Sequence, residues 1–286
     1  MDLNVTIQGI SGCFHDAAAR EFFSIHAPHI NVQPVDCDTF PDMFSRLAAD
    51  HQLVGIMAIE NTIAGALLQN HELLRESNLR IIGEHKKRIS HSIATLPGET
   101  LADAEAVISH PMALMQCETF LRNYPQIRSI EWFDTAGAAR DIARDNLTHR
   151  AAICPRLAAE LYGLDIQADA IETNKRNFTR FLVLAHEERI PSLLLPRQRI
   201  NKASIVFSLP HSQGALSKIL TILSFYDMNL TKIQSMPILG REWEYRFYVD
   251  LTFGSAERYH QAITAIRPLL GEFKSLGEYE ECTQEI

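Results

Sequence analysis

The sequence is poor in the features that define several large protein classes. Its five cysteines, Cys13, Cys37, Cys117, Cys154 and Cys282, are far apart and never form a C-x-x-C pair. An odd, scattered set argues against a disulfide framework or a structural zinc site and fits a reducing compartment. No apolar run approaches the ~20 residues that a membrane helix needs. The opening MDLNVTIQGI has neither the basic nor the apolar region of a signal peptide, so a cytoplasmic location is expected. Basic residues are in the minority, 27 Lys and Arg against 35 Asp and Glu, for a net charge of −8. That balance argues against nucleic acid or an anionic membrane as the main partner, because both reward basic surfaces. There is no repeat of fixed period and no match to G-x-G-x-x-G, a P-loop, H-E-x-x-H or G-x-S-x-G.

What is present is ordinary globular composition over 286 residues, a length that suggests about two domains at roughly 150 residues each. Short apolar runs alternate with helical patterns through residues 1–187. Residues 5–8, 53–59, 107–108, 130–133 and 151–153 read as strands. Helical patterns fall at 14–23, in a stretch ending at Leu74, and at 112–121 and 136–145. Strands alternating with helices of this length predict parallel βαβ units. Residues 188–201 are rich in Pro and Arg and read as a linker. After it the pattern changes to strand 203–209, helix 214–225, strands 229–238 and 245–253, helix 256–270 and strand 273–279. This βαββαβ order is the ferredoxin-like arrangement, expected as a second domain over 202–286.

Ligands of open α/β sheets bind beyond the carboxyl ends of the strands. Four such junctions stand out: Gly9-Ile10-Ser11-Gly12, Glu60 to Gly65, Ser109-His110-Pro111 and Asp134-Thr135-Ala136. Their Ser, Thr and Asn residues read equally as helix caps. Four junctions in one region favour a small carboxylate, because helix amino termini collect anions. A fifth segment, Asn177 to Leu184, reads as a polar approach into a strand. Its Arg180 is either a bidentate carboxylate partner or a surface arginine on a strand edge.

At these segments the sequence resembles prephenate dehydratases along nearly its whole length. Ala58-Ile59-Glu60-Asn61-Thr62 with Gly65 resembles P-I-E-N-S/T-x-x-G. Ser109 to Leu114 with Gln116-Cys117 resembles S-H-P-Q-A-L-x-Q-C. Gly9 to Ala17, Gly83-Glu84 with His91, and Asp134-Thr135-Ala136 match further blocks, and Asn177 with Thr179-Arg180-Phe181 matches N-x-T-R-F, the most diagnostic piece. In the tail, His211 with Gly214-Ala215-Leu216 resembles the G-A-L turn of the family's ACT regulatory domain. Gln234-Ser235-Met236-Pro237 stands where that domain usually has E-S-R-P, so two charged groups are missing.

The resemblance implies an α/β catalytic region of two lobes, similar to type II periplasmic binding proteins, with the chain crossing between lobes near 75–80 and 170–177. It implies decarboxylating dehydration of prephenate to phenylpyruvate without metal or organic cofactor. Thr179 would assist the leaving hydroxyl, Arg180 would clamp a carboxylate, and Asn61, Ser109 and Gln116 would complete the catalytic set. Glu60, Thr62, Gly65, His110, Thr135, Ala136 and Phe181 would line the substrate site. The ACT domain would take L-phenylalanine as effector at an interface of a homodimer or homotetramer. Its contacts would be His211, Gly214, Ala215, Leu216, Asn229, Leu230, Gln234 and Ser235. Two other readings remain open here: an arogenate dehydratase, and a non-catalytic module that responds to an amino acid.

Overall fold

The computed structural model describes residues 1–193 and 199–283. Residues 194–198 of the expected linker and the last three of the expected second domain lie outside them. The first lobe contains β1 (Asp2–Gln8), α1 (Phe14–His26), β2 (Asn31–Cys37), α2 (Phe40–Ala49), β3 (Val54–Asn61), β4 (Gly65–Ala66), α3 (Leu68–Glu76) and β5 (Arg80–Arg88). The second contains β6 (Ser92–Thr95), β7 (Ala106–Ser109), α4 (Pro111–Gln116), α5 (Glu118–Leu121) and β8 (Arg128–Glu131). It continues with α6 (Thr135–Asp145), β9 (Arg150–Cys154), α7 (Arg156–Leu161) and β10 (Asp165–Ala168). The chain then returns to the first lobe as β11 (Phe178–Ala185), followed by α8 (Ile190–Leu193). The carboxy-terminal unit is β12 (Lys202–Ser208), α9 (Ala215–Phe225), β13 (Asn229–Pro237), β14 (Tyr245–Thr252), α10 (Ala256–Ile266) and β15 (Phe273–Tyr279).

Three sheets result, in the orders β2-β1-β3-β11-β5, β10-β6-β9-β7-β8 and β13-β14-β12-β15. The first two are mixed. β1 pairs in parallel with β2 and β3, but β11 lies antiparallel between β3 and β5. The expected parallel βαβ units are present in both lobes, and the returning strand joins the first sheet from the opposite direction. The outward crossing is corrected. It runs through residues 89–91 and not 75–80, because Arg80 to Arg88 remain in the first sheet as β5. The return occupies residues 169–177. The two crossings are tied together, with the Ile171 N–H donating to the His91 carbonyl and the Ile89 N–H to that of Asn177.

Local chemistry explains most element ends. The Asp134 side chain caps α6 by accepting from the Gly137 N–H at 2.8 Å, and Asn146 closes that helix at φ 47°. Pro34 sits within β2, which is tolerated because β2 is an edge strand. That proline hides β2 from a sequence reading. The helix expected over 112–121 is two short helices broken at Cys117. The strand expected at 130–133 lies two residues earlier, at Arg128–Glu131. The last helix leaves α-geometry after Ile266, where Pro268 follows.

The carboxy-terminal unit does not pack only on itself. Val206, Tyr248, Leu276 and Tyr279 share one core with Met57, Ile59, Ile81, Leu182 and Leu184 of the first sheet. β15 runs against β5 so closely that a Cβ on Gly277 would strike the carbonyl oxygen of Ile81. Lys274 donates to the carbonyls of Arg75 and Ser77 at the end of α3, where a cation suits the helix dipole.

At the centre of this contact lies a buried, charge-balanced cluster. Arg180 donates to Glu84 Oε2 at 2.6 Å, to Asp250 Oδ2 at 2.5 Å and to the Tyr279 hydroxyl at 3.0 Å. Lys202 Nζ donates to both oxygens of Glu84, at 2.9 and 3.0 Å. Burial pushes the Glu84 and Asp250 carboxyls up. For Glu84 the charges of Arg180 and Lys202 outweigh that, and for Asp250 chiefly Arg180, so both end below the usual carboxylate range.

Two consequences of this packing are measurable. Gly277→Ala is expected to cost roughly 1–3 kcal/mol in urea denaturation, since backbone must move to admit a methyl group. The unfolded chain takes up the carboxyl protons as pH falls from about 5 through 4. The folded protein resists until the lower values of Glu84 and Asp250 are reached. The contribution of this cluster to stability should therefore be complete above about pH 5 and fall progressively below it, with a smaller acid-dependent loss in Asp250→Asn.

Candidate active site

The β11 strand presents alternate residues to opposite sides. Phe181, Val183 and Ala185 join the core shared with the second lobe, while Leu182 and Leu184 join the core shared with the carboxy-terminal unit. Thr179 belongs with the first set and Arg180 with the second. Thr179 consequently borders a cavity of about 360 Å³ between the lobes, within the usual range for small-molecule sites. The first lobe supplies Asn61 and Ala58 from β3 and Phe181 from β11, with Cys13, Phe14 and His15 around the start of α1. The second supplies His110, Ala113 and Gln116 at α4, and Asp134 and Thr135 at α6. Ala58 and Asn61 share this side despite their odd spacing, because the register between β3 and β11 shifts beside Ile59. The extra residue of a bulge re-aims the side chains beyond it.

The side chains are oriented by a chain of amides. The Asn61 carbonyl oxygen accepts from the N–H groups of Ile63 and Ala64, both at 2.9 Å. That fixes the amide orientation, so Asn61 Nδ2 donates to Thr179 Oγ1 at 2.9 Å and to Asn177 Oδ1 at 2.7 Å. Asn177 Nδ2 in turn donates to Gln116 Oε1 at 3.2 Å, and His91 Nε2 reaches the same oxygen at 2.9 Å. His91 then donates from Nε2, and its buried Nδ1 is a bare acceptor without a protein partner among the described residues. Thr179 Oγ1 accepts from Asn61, and no acceptor takes the Thr179 proton among the described residues.

The lining carries no Lys or Arg among the described residues. His15 is partly buried and accepts from the Ala58 N–H at 3.3 Å. Burial holds it neutral, down to about 4. Burial also lowers His91 and raises Asp134, the latter against N–H groups of Gly137, Ala136 and Thr135. Residues at the amino-terminal turns of α1, α4 and α6 border the cavity, and such turns carry partial positive charge.

Six of the twelve expected catalytic and substrate residues therefore line the cavity: Thr179, Asn61, Gln116, His110, Thr135 and Phe181. Arg180 does not. Strand alternation turns it away, and its donors are committed to Glu84, Asp250 and Tyr279, so the expected carboxylate clamp is corrected. Glu60 likewise faces the carboxy-terminal unit, accepting from Lys232 Nζ at 2.7 Å. Ser109 is fully buried and donates to the Ile153 carbonyl at 2.5 Å. Thr62 bridges Arg176 and Phe178, tying the turn to β11. Gly65 supplies a turn at φ 80°, and Ala136 is buried behind Thr135.

Nor does Asn61 cap a helix, as its junction had suggested. The chain forms the β3–β4 hairpin first, and α3 starts only at Leu68. His15, His91 and Asp134 were missed as site residues, although each lies in a block matched above. His15 was legible as the first polar side chain facing back from α1 towards the strand ends.

Among the expected effector contacts, Gly214 caps α9 at φ 74°, with Ala215 and Leu216 in its first turn. Asn229 and Leu230 lie beyond the far end of that helix, about 16 Å away along its axis at ~1.5 Å per residue. His211 is exposed, and Gln234 donates to the neighbouring Ser235 carbonyl. Among the described residues, His51, His186 and Glu188 form the one trio with possible metal-ligand atoms within 4.8 Å. Their two rings stack at 3.7 Å, so the lone pairs run side by side instead of converging.

An NMR titration of His15 should show a midpoint near 4. The unfolded imidazole takes its proton near 6.5, so its burial should weaken the fold as pH falls from about 6.5 towards 4. A midpoint near 6.5 would contradict a buried neutral ring.

Comparison with known proteins agrees with this geometry. The family model described as prephenate dehydratase matches residues 5–189. The arogenate dehydratase/prephenate dehydratase 2 of Arabidopsis thaliana is 35% identical over 97% of this chain and 72% of its own length. Among solved structures, the prephenate dehydratase of Arthrobacter aurescens in complex with L-Phe aligns at a TM-score of 0.82 and 25% identity, covering 99% of this chain and 91% of that one. A structure described as GqqA, a novel type of quorum-quenching acylase, aligns at 0.84 and 27% identity over 98% of both chains. With the family model covering well over half of the sequence and the cavity built from its matched segments, the chain belongs to the prephenate dehydratase family.

Proposed function

We propose that this lyase converts prephenate to phenylpyruvate. The bond between the ring and its carboxylate breaks, carbon dioxide leaves, and the released electron pair completes the aromatic ring as the ring hydroxyl departs with its bonding electrons. A hydroxide leaves poorly without a hydrogen bond. The observation that carries this reading is the Thr179 hydroxyl, which accepts from Asn61 and keeps its own proton for the cavity. Thr179 polarises the leaving oxygen, and Asn61 fixes its direction. The helix amino termini receive the carboxylates. Closure of the lobes, as in type II periplasmic binding proteins, would exclude water from the reacting dianion.

Asp134 favours a second substrate in the same cavity. It is the one carboxyl of the lining among the described residues, and it would pair with the ammonium of arogenate, which replaces the ketone of prephenate. Acylase chemistry has less support. It needs a nucleophile activated by a base, whereas burial pushes the Cys13 thiol up and Thr179 accepts from an amide.

The carboxy-terminal βαββαβ unit is read as an ACT domain that binds phenylalanine where subunits meet in a homodimer or homotetramer. Support comes from its sheet order, from the Gly214 turn and from the L-Phe complex of the Arthrobacter relative. Gln234 and Met236 replace a charged pair of the family motif without changing the local net charge. The five unpaired cysteines suit a cytoplasmic setting.

Incubation of the purified chain with prephenate should yield phenylpyruvate, and absence of turnover on both prephenate and arogenate would overturn the reading. The ratio of kcat/KM for the two substrates ranks them. Thr179→Ala is expected to lower kcat by about 10²–10⁴-fold with a modest change in KM. Asn61→Asp should lower kcat by roughly 10²–10³-fold, because an acceptor would then capture the threonine proton. Calorimetry should show phenylalanine binding, and no binding at millimolar concentration would leave the domain without this effector.

A further inference from the structure

Two adjacent register pairs on β3 and β11 face opposite ways. Thr179 opposite Asn61 faces the cavity, and Arg180 opposite Glu60 faces the carboxy-terminal unit. The second pair meets a third. Lys232 and Asp250 are register partners on β13 and β14. Lys232 binds Glu60 at 2.7 Å while Asp250 binds Arg180 at 2.5 Å. Arg180 also lies 3.6 Å from Glu60, which closes the four charges into one group. A register shift between Leu230 and Lys232 accompanies the turn of Lys232 towards Glu60, as the shift beside Ile59 accompanies the turn of Asn61 towards the cavity. The contact is thus specified on both strands that supply it.

The geometry points to a ladder in which Lys232 and Asp250 position Thr179 through Glu60 and Arg180. Movement of β13 changes the pull of Lys232 on Glu60. Glu60 is the covalent neighbour of Asn61, whose amide holds the Thr179 hydroxyl. Lys232 lies on β13 between Asn229-Leu230 and Gln234-Ser235, the segments expected to meet phenylalanine. An effector that shifts this strand therefore reaches the leaving-group donor through two ion pairs and one peptide bond on either strand. Glu60, Arg180, Lys232 and Asp250 are positioning residues. None of them lines the cavity. This inference rests on the proposed dehydratase reaction and its phenylalanine effector.

The test uses the full chain with Lys232→Gln, Lys232→Arg, Glu60→Gln and the Lys232→Gln/Glu60→Gln double variant. Glu60 is 41% exposed in its side chain, so water can solvate it when Lys232 is removed. Lys232→Gln is expected to lower kcat roughly 2- to 30-fold with KM nearly unchanged, and to weaken phenylalanine inhibition by a similar factor. Glu60→Gln should do the same, and the double variant should be no worse than either single one. Lys232→Arg should restore turnover. Wild-type kcat and inhibition in Lys232→Gln, or single losses that multiply in the double variant, would overturn the ladder. A wild-type chain inactive on both substrates would instead defeat the functional reading. The ladder is then read by hydrogen exchange, with segments 57–65 and 176–182 expected to exchange faster in Lys232→Gln, and unchanged exchange would overturn it.

Discussion

Strand β11 lies at the centre of the molecule with a different environment on each face, and the rest of the structure depends on that division. Successive side chains of a strand must point to opposite faces. One face lines the cavity between the lobes through Thr179 and Phe181. The other carries Arg180 into a cluster with Glu84, Asp250, Lys202 and Tyr279 that joins the carboxy-terminal unit to the first sheet. Two neighbouring residues of one short motif thus face different surroundings. One turns towards the cavity, and the other joins two units.

The cluster explains how a charged group is tolerated at such depth. Arg180 and Lys202 face Glu84 and Asp250, so the buried formal charge sums to zero. The remaining carboxylate lone pairs find the Ser204 hydroxyl and the Cys282 N–H, and the Tyr279 hydroxyl accepts from Arg180. Buried ion pairs contribute little net stability compared with apolar packing, but losing one partner leaves a charge without compensation. The group therefore acts chiefly as a registry device. Val206, Tyr248, Leu276 and Tyr279 pack into the core shared with the first sheet, and that apolar burial is favourable.

The cavity is built on a different plan. With no Lys or Arg in its lining among the described residues, it relies on helix termini and on amides whose direction is fixed by backbone. The turn after β3 commits two N–H groups to the Asn61 carbonyl oxygen, which leaves the amide nitrogen one direction in which to point. His91, Gln116 and Asn177 extend that order across both crossings. Polar groups fixed before the ligand arrives need little reorganisation during reaction, which is why such an arrangement stabilises developing charge.

Much of this was legible without coordinates. Periodicity marked β1, β3, α1 and α6, and the βαββαβ order of the tail comes from alternating patterns alone. Ordered motifs marked Thr179, Asn61, Gln116, His110 and Thr135, which the fold brings to one cavity. β2 and α2 were not legible, because Pro34 interrupts the strand pattern and edge position alone makes it acceptable. The direction of Arg180 was partly legible: period-two alternation separates it from Thr179 whatever the fold. Its partners were not, since Glu84, Asp250 and Tyr279 lie 96, 70 and 99 positions away. Local sequence determines backbone periodicity, caps and which side chains share a face of a strand. Only the tertiary structure decides what stands opposite each face, because that depends on how distant strands pair. The bulge beside Ile59, which brings Asn61 to Thr179, exists only once β3 and β11 have met.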